Sequence, residues 1–332
     1  MSDEHPFAQY IRILGKGKNG SRSFTQDEAY QAMSMILAEQ AEPVQIGAFL
    51  MLMRVKEETP EELTGFVRAA RDALSRPAAM PEVRLDWSSY AGKRRQLPWF
   101  LLSALLLAGN GITVFMHGAA GRKDDRIYTP DALQTLGIQS CTTLAQAAAQ
   151  LEQRNFAFMT LHDLSPKLNE IMELRSMLGL RSPVHTLARM INPFNAPALL
   201  QGIFHPGYRA IHQGAALLLG QPRTSVFKGE GGEIERNPDT PCLVQNVFDN
   251  VLLDDEWPPM FSMRHLKDET MDVGRLSALW RGDIADEYGE ATIIGTTAIA
   301  LRALGGTDSI QDAQSQATEM WKKRPIAWLH AA

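Results

Sequence analysis

Residues 98–118 read PWFLLSALLLAGNGITVFMHG, and this stretch decides the fold class. Its first half is an apolar run of helical length, and residues 112–116 are rich in β-branched and aromatic side chains. A buried helix followed directly by a short strand is typical of a sheet whose strands alternate with helices. The apolar run is far too short to span a bilayer, so it predicts a core helix rather than a membrane segment.

The same alternation continues towards the C-terminus. Residues 131–136 and 143–153 have helical spacing, and the part from 269 to 322 also reads as helical. Strands separated by helices predict an α/β fold with a mainly parallel central sheet that is covered on both faces. The predicted strands are residues 112–116, 156–159, 199–204, 224–228 and 242–247.

Upstream of this region the pattern is helical alone. Thr25 and Glu28 fit a capping box, Pro43 opens a second helix, and Thr59-Pro60 opens a third. The helical pattern ends near Ser75, and the proline- and alanine-rich residues 76–81 predict a linker. We therefore expect a small helical domain at residues 1–76 and a larger α/β domain at residues 82–332.

Composition indicates the class of protein. The chain has 332 residues but only two cysteines, which argues against a disulfide framework and favours a reducing compartment. Its polar start lacks the apolar segment of a signal peptide, so we expect a cytoplasmic protein. The formal net charge of −5 argues against a globally basic nucleic-acid binder. It does not exclude local basic surfaces on the protein.

A first local basic cluster lies in the glycine-rich sequence GKGKNGSR at residues 15–22. It contains Lys16, Lys18 and Arg22 between two predicted helices, with no acidic residue nearby. Free amides and the helix dipole make such a loop a suitable anion site. The alternative is a solvated basic loop with no ligand.

A second basic cluster is Lys93-Arg94-Arg95, with Tyr90 close before it. Arginines in this setting can follow a phosphate backbone while the ring stacks on a base. Arg122 adds a third contribution after the His-Gly turn. The same alternative, a solvated loop, applies to this cluster.

Several stretches, in order along the chain, resemble the anthranilate phosphoribosyltransferase family. The resemblance implies a nucleoside phosphorylase/phosphoribosyltransferase-like fold, with residues 166–189 completing the helical domain. It also implies a homodimer formed through that domain. The stretches are QIGAFL at 45–50, EELTG at 61–65, VFMHG at 114–118, DALQTLG at 131–137, LRSMLGLR at 174–181 and Asn192-Pro193.

The phosphate machinery of that family is largely replaced. The family holds phosphoribosyl pyrophosphate (PRPP) with a Gly-Thr-Gly-Gly-Asp loop, whereas the matching residues 88–95 read SSYAGKRR. Its Lys-His-Gly-Asn motif reads MHGA at residues 116–119, and its Asp-Glu magnesium pair reads Ile234-Glu235, with Glu235 as a remnant. We therefore expect no cofactor and no metal site; the alternative, which the remnant Glu235 leaves open, is that magnesium still binds as the resemblance implies.

The resemblance also assigns a substrate pocket. It implies that Arg175 binds a substrate carboxylate through its planar fork and that His117 orients a ring or a phosphate. The alternatives are a surface or ion-paired arginine and a strand-end histidine with satisfied hydrogen bonds. The residues assigned to the pocket are Gly92, His117, Gly118, Arg175, Arg181 and His185.

Three functions follow. A divergent branch of the family resembles residues 15–19, 90–95 and 181–188; the resemblance implies dimers that bind nucleic acid without sequence preference and lack anthranilate transferase activity. The first hypothesis is therefore a protein that binds single-stranded nucleic acid. The second is an active phosphoribosyl- or glycosyltransferase, acting on anthranilate in tryptophan biosynthesis or on another substrate. The third is a scaffold retained for dimerisation.

Overall fold

The protein is described by a computed structural model that covers residues 4–77, 79–121 and 125–330. It begins with a helical unit in which the two predicted threonine caps are confirmed. Thr25 and Thr59 each accept the third amide of their helix, and Glu28 and Glu62 bond back to the cap amides. The four helices of the unit are α1 (Ala8–Gly15), α2 (Gln26–Leu37), α3 (Pro43–Lys56) and α4 (Pro60–Asp72).

Seven strands form one sheet in the order β3-β2-β1-β4-β5-β6-β7. The first five in this order run parallel, and β6 and β7 add an antiparallel hairpin at one edge. The predicted mainly parallel sheet is therefore confirmed. The strands are β1 (Leu85–Ser89), β2 (Val114–Gly118), β3 (Phe156–Thr160), β4 (Ala198–Ile203), β5 (Arg223–Lys228), β6 (Cys242–Phe248) and β7 (Val251–Trp257).

The remaining helices connect these strands and follow them. None of the described helices combines the length and the apolar character that crossing a membrane would require. The helices are α5 (Phe100–Gly109), α6 (Thr129–Thr135), α7 (Leu144–Arg154), α8 (Leu161–Leu164), α9 (Pro166–Glu173), α10 (Arg175–Leu178), α11 (Val184–Leu187), α12 (Tyr208–Leu218), α13 (Gly274–Arg281), α14 (Glu287–Ala303) and α15 (Ile310–Lys322).

The sheet separates two hydrophobic cores. On one face α5 packs against α14, and every residue from Phe100 to Ala108 is buried, which explains why this helix carries no charge. On the other face lies the helical unit, whose α4 contacts both α11 and α12. Because parallel strands end at the same edge, the loops after β1, β2, β4 and β5 lie together, beside the helical unit.

Gly65 allows α2 and α4 to approach each other closely. A Cβ atom at this position would lie 2.3 Å from the carbonyl oxygen of Gln26 and 2.7 Å from the Cβ of Ala29. The first of these is backbone, which cannot rotate away. The contact between the two helices therefore depends on glycine.

We expect Gly65→Ala to lower the free energy of unfolding by about 1–3 kcal/mol, because the added methyl group forces α2 and α4 apart. Gly47→Ala in α3 is the matched control, since a Cβ there meets no atom within 4 Å. Alanine should stabilise that helix by about 0.5–1 kcal/mol relative to glycine. Urea unfolding of both variants measures the difference; equal stabilities would contradict the close approach at Gly65.

Candidate functional site

The loop after β1 and the turn after β5 meet where the parallel strands end. The amides of Ala91 and Gly92 both donate to one carboxylate oxygen of Glu233, at 2.6 Å each. Glu233 is buried, and burial raises the pKa of its carboxyl group although these hydrogen bonds oppose the shift. Amides of the kind that hold a phosphate are therefore bonded to a carboxylate of the chain itself.

The same loop is fixed from its other side. Arg126 donates from Nη1 to the carbonyl oxygens of Ala91 and Gly92, at 3.0 and 3.2 Å. Gly92 has φ +68°, and a Cβ there would lie 2.9 Å from the ring of Tyr128. Glycine is thus required at this point, and the loop is held in one conformation.

The structure corrects the phosphate contact predicted for Lys93. Its ammonium group forms an ion pair with Glu235, and the two side chains are only 2% and 0% exposed. The other oxygen of Glu235 accepts the amide of Phe100 at 3.0 Å. Burial raises the pKa of Glu235, and the charge of Lys93 opposes that shift. Lys93 therefore neutralises a buried carboxylate and does not reach an external phosphate.

These residues do not fit a magnesium ion. Magnesium takes several oxygen ligands in octahedral geometry, whereas Glu235 is already paired with Lys93 and Ile234 supplies no ligand atom. In the part of the chain that the structure describes, no three His, Cys, Asp or Glu side chains are grouped so that they could hold a metal.

The base contact predicted for Tyr90 is also corrected. Tyr90 is buried, and its hydroxyl lies 2.7 Å from Nδ1 of His117, while Nε2 of His117 lies 3.2 Å from Oδ1 of Asp86. Burial raises the pKa of Tyr90 well above its usual value, so the phenol stays neutral. Both ring nitrogens of His117 therefore have partners within the protein. Gly118 follows in β2, where a Cβ would lie 2.0 Å from the carbonyl oxygen of Ser89.

Four guanidinium groups form a cluster beside this edge, and we call Arg126, Arg175, Arg181 and Arg189 the guanidinium cluster. Burial, together with the charges of Arg189, Arg175 and Arg126, lowers the pKa of Arg181 to about 10. No described acidic residue lies within ion-pair distance of any of the four, although the negative charge of Glu233 acts on Arg189 from farther away. A concentration of positive charge held in this way attracts anions.

Arg189 is the fixed member of the cluster. Its Nε donates to the carbonyl oxygen of Gly202 at 2.9 Å, and its Nη1 to that of His185 at 2.6 Å. Its guanidinium carbon lies 5.6 Å from the centre of the Tyr90 ring. Burial, and then the charges of Arg181 and Arg189, lower the pKa of His185 to about 3. His185 is therefore neutral near pH 7 and adds no charge to the cluster.

A cavity of about 90 Å³ opens between Arg181, Arg189 and the end of β4. Phe204, directly after β4, lines it and is 52% exposed. Glu58 also lines it; burial raises the pKa of this carboxyl group, and the hydroxyl of Tyr208 lies 3.5 Å from its Oε2. The cavity thus combines guanidinium groups with an open aromatic ring.

Three of the predicted phosphate contacts are open to solvent. Lys16 and Lys18 are exposed in the loop after α1, and Arg95 is exposed before α5. Within residues 4–77, 79–121 and 125–330, no acidic side chain pairs with any of them. They stay predictions as nucleic-acid contacts.

Two further predicted contacts already have acidic partners. Arg22 donates from both terminal nitrogens to Glu28 at 2.6 Å, which lowers the pKa of Glu28 to about 2. Arg94 lies 2.9 Å from Asp125. Arg122, predicted as a third contribution, lies outside the described residues.

Sequence reasoning missed four residues of this site: Glu233, Arg126, Arg189 and Phe204. A signal existed for Glu233, because the turn KGEGGEIE at residues 228–235 follows a predicted strand and is rich in glycine and acid. Another existed for Arg189, which lies four residues after His185 and therefore on the same side of a helix. Arg126 and Phe204 stand in loops whose course depends on the whole fold.

Comparison with known proteins identifies relatives. Sequence models described as "Glycosyl transferase family, helical bundle domain" and "Glycosyl transferase family, a/b domain" match residues 8–74 and 100–323. An uncharacterized protein of Aquifex aeolicus is 30% identical over 244 residues, 73% of each chain. An anthranilate phosphoribosyltransferase of Erythrobacter litoralis is 30% identical over 211 residues, 63% of each chain. The crystal structure of anthranilate phosphoribosyltransferase from Thermus thermophilus has a TM-score of 0.81 at 22% identity, covering 97% of this chain and 99% of that one.

We expect Lys93→Met to lower the free energy of unfolding by about 3–5 kcal/mol, because it leaves the buried carboxylate of Glu235 without its counter-charge. Adding Glu235→Gln should restore most of the loss, since it removes that charge while keeping an acceptor for the amide of Phe100. Chemical denaturation measures both variants.

Arg94→Met is the matched control for this experiment. The Arg94–Asp125 pair is exposed, so its loss should cost at most about 1 kcal/mol. If Lys93→Met were as mild as Arg94→Met, the buried ion pair would not hold the loop.

Proposed function

The chain belongs to the glycosyl transferase family that contains the anthranilate phosphoribosyltransferases, and we propose that it binds single-stranded nucleic acid without sequence preference instead of PRPP. The observation that carries the proposal is the guanidinium cluster, which forms no ion pair with a described acidic residue and lies beside the exposed ring of Phe204. Phosphates of the strand contact the cluster, and a base stacks on the ring.

The loop after β1, whose amides are already bonded to Glu233, supports this proposal. In the family, as the resemblance implies, the loop after β1 holds the phosphates of PRPP, and a carboxylate pair holds magnesium. Here the loop amides are bonded to Glu233, and Glu235 is paired with Lys93. To admit a pyrophosphate, the loop would have to leave Glu233 buried beside another anion, which electrostatic repulsion opposes.

The chemistry of the cluster supports a phosphate polymer as the ligand. Guanidinium groups form two parallel hydrogen bonds to a phosphate and remain charged after partial burial. Several of them in one place match a ligand that repeats its charge along a chain. Lys16, Lys18 and Arg95, exposed outside the cluster, supply further phosphate contacts in this proposal.

Phe204 supports single strands over duplexes. A base offers its face to an aromatic side chain only when it is unstacked, as it is in a single strand. Tyr90, which the sequence predicts to stack on a base, is buried against His117, whereas Phe204 is 52% exposed at the cavity. We therefore propose that Phe204, and not Tyr90, stacks on a base.

A homodimer through the helical unit is part of the same proposal. Val44 and Val55 on α3 are 77% and 86% exposed and so are available for a contact with a second copy. Apolar residues of this kind are buried when a second copy packs against them.

We expect the protein to bind a fluorescent single strand of about 20 nucleotides with an affinity that falls steeply as salt rises. Arg175→Ala with Arg181→Ala should weaken binding and flatten the slope of log K against log salt by about 1.4, because each lost phosphate contact removes about 0.7. Phe204→Ala should cost about 1–3 kcal/mol for the single strand and less for a duplex. Fluorescence anisotropy measures all three.

Lys322→Ala with Lys323→Ala is the charge-matched control, since both lysines are exposed at the end of α15. This pair should leave affinity and salt slope unchanged. Absence of binding at low salt, or an equal loss in the control and in the cluster variant, would refute the proposal. Lys16→Ala with Lys18→Ala tests the loop after α1 in the same way.

A second candidate function is transfer of a phosphoribosyl or other glycosyl group. The similarity to the anthranilate phosphoribosyltransferase of Erythrobacter litoralis favours it. So does the position of Arg175, in a segment that resembles the family's substrate-binding arginine segment.

With PRPP, magnesium and anthranilate together, we expect no product above the rate of the protein-free mixture. The reason is that neither the loop amides nor Glu235 is free to hold the substrate and its metal. Loss of anthranilate fluorescence measures turnover. Turnover that disappears in Arg175→Ala would instead establish the transferase.

A further inference from the structure

A second basic cleft, separate from the cavity beside Phe204, lies next to α12. It encloses about 400 Å³ between the carboxyl end of β5, the amino end of β6, Arg209 of α12 and residues 264–267. Among the described residues it shares no lining residue with the cavity beside Phe204. A volume of this size suits a ligand as large as a sugar phosphate or a mononucleotide.

The acidic residues of this cleft are already engaged. Glu230 accepts from Nζ of Lys267 and from Nδ2 of Asn237, at 2.9 Å each. Asp239 accepts from the amide of His265 at 2.8 Å, and its other oxygen lies 2.7 Å from Nδ1 of that residue. Glu230 is thus paired with Lys267, whereas Asp239 keeps its negative charge but forms no ion pair with the other cations of the cleft.

Three cations of the cleft remain: Arg209, Lys228 and Arg264. None of them forms an ion pair with an acidic residue in the described part of the chain. Nη1 of Arg209 makes one long contact, 3.4 Å from the carbonyl oxygen of Leu243, and its Nε is buried with no acceptor among the described residues. Arg209 lines the cleft and its terminal nitrogens make one long hydrogen bond among the described residues, so its guanidinium group is able to donate to an anion there.

We infer that this cleft is a binding site for a small phosphate ester or diphosphate. A fork of Arg209 or Arg264 bonds the phosphoryl oxygens, and Lys228 adds a point charge. Three cations against the one remaining negative charge of Asp239 leave the cleft net positive, which suits a phosphate group or a diphosphate. The inference does not rest on the proposed nucleic-acid function, because the two sites share no described lining residue.

Calorimetry with inorganic pyrophosphate, without magnesium, tests the site. The wild-type protein should bind it saturably, and Lys228→Gln with Arg264→Gln should weaken binding by about ten-fold or more, since two charge-assisted contacts are lost. Both residues are exposed, so this variant is expected to fold. Arg209→Gln is a second, independent variant with the same expected direction.

Two control variants locate the binding. Lys322→Gln with Lys323→Gln removes the same charge elsewhere and should bind pyrophosphate as the wild type does. Arg175→Ala with Arg181→Ala removes phosphate contacts of the guanidinium cluster, so pyrophosphate that this variant still binds saturably is assigned to the cleft. Single-strand binding by the Arg175/Arg181 variant tests the nucleic-acid proposal, and pyrophosphate binding by the Lys228/Arg264 variant tests this inference. The two proposals can therefore fail separately.

Two results would overturn the inference. One is no binding by the wild-type protein, or equal binding by the Lys228/Arg264 variant. The other concerns the source of the phosphate: an oligonucleotide that displaces pyrophosphate at stoichiometric concentration would assign the cleft to the polymer backbone. Retention of pyrophosphate in the presence of the oligonucleotide supports a small free ligand.

Discussion

The carboxylates of Glu233 and Glu235, two residues apart in one turn, determine how the loop after β1 is used. Each is buried at the edge where the parallel strands end, and each takes its partner from that loop: two amides for Glu233, the ammonium group of Lys93 for Glu235. A buried carboxylate that loses its partner is strongly destabilising. Loop and turn therefore fix each other. If the amides turned towards an outside anion, the buried carboxylate of Glu233 would lose its hydrogen-bond donors.

The fixed loop leaves the positive charge of the site on side chains outside it. Arg181, Arg175 and Arg126 lie near one another, which raises the electrostatic energy of the protein without ligand. Arginine suits this position, because a guanidinium group with a pKa of about 10 is still fully charged at neutral pH. A lysine whose pKa were lowered by the same amount would begin to lose its proton there. An anion that enters the cluster relieves this repulsion.

Local sequence rules predicted the parts of the fold that local interactions form. The caps at Thr25 and Thr59 and the apolar helix α5 are examples, because each depends on residues within one or two turns. Strand β1 reads LDWSS and was missed, since its aspartate and serines become buried only when β2 and β4 pair with it. The burial of Lys93 was missed for the same reason: its partner lies 142 residues away.

The net charge of −5 predicts little about binding, because the pairing of charges matters more than their sum. Several carboxylates of the strand edge, those of Glu230, Glu233 and Glu235, are bonded to groups of the chain itself. Cations nearby are left without acidic partners in the described part of the chain, as in the guanidinium cluster and at Lys228. An acidic chain can therefore present basic sites, because some of its carboxylates are engaged inside the fold while cations such as Arg175 and Lys228 face the solvent.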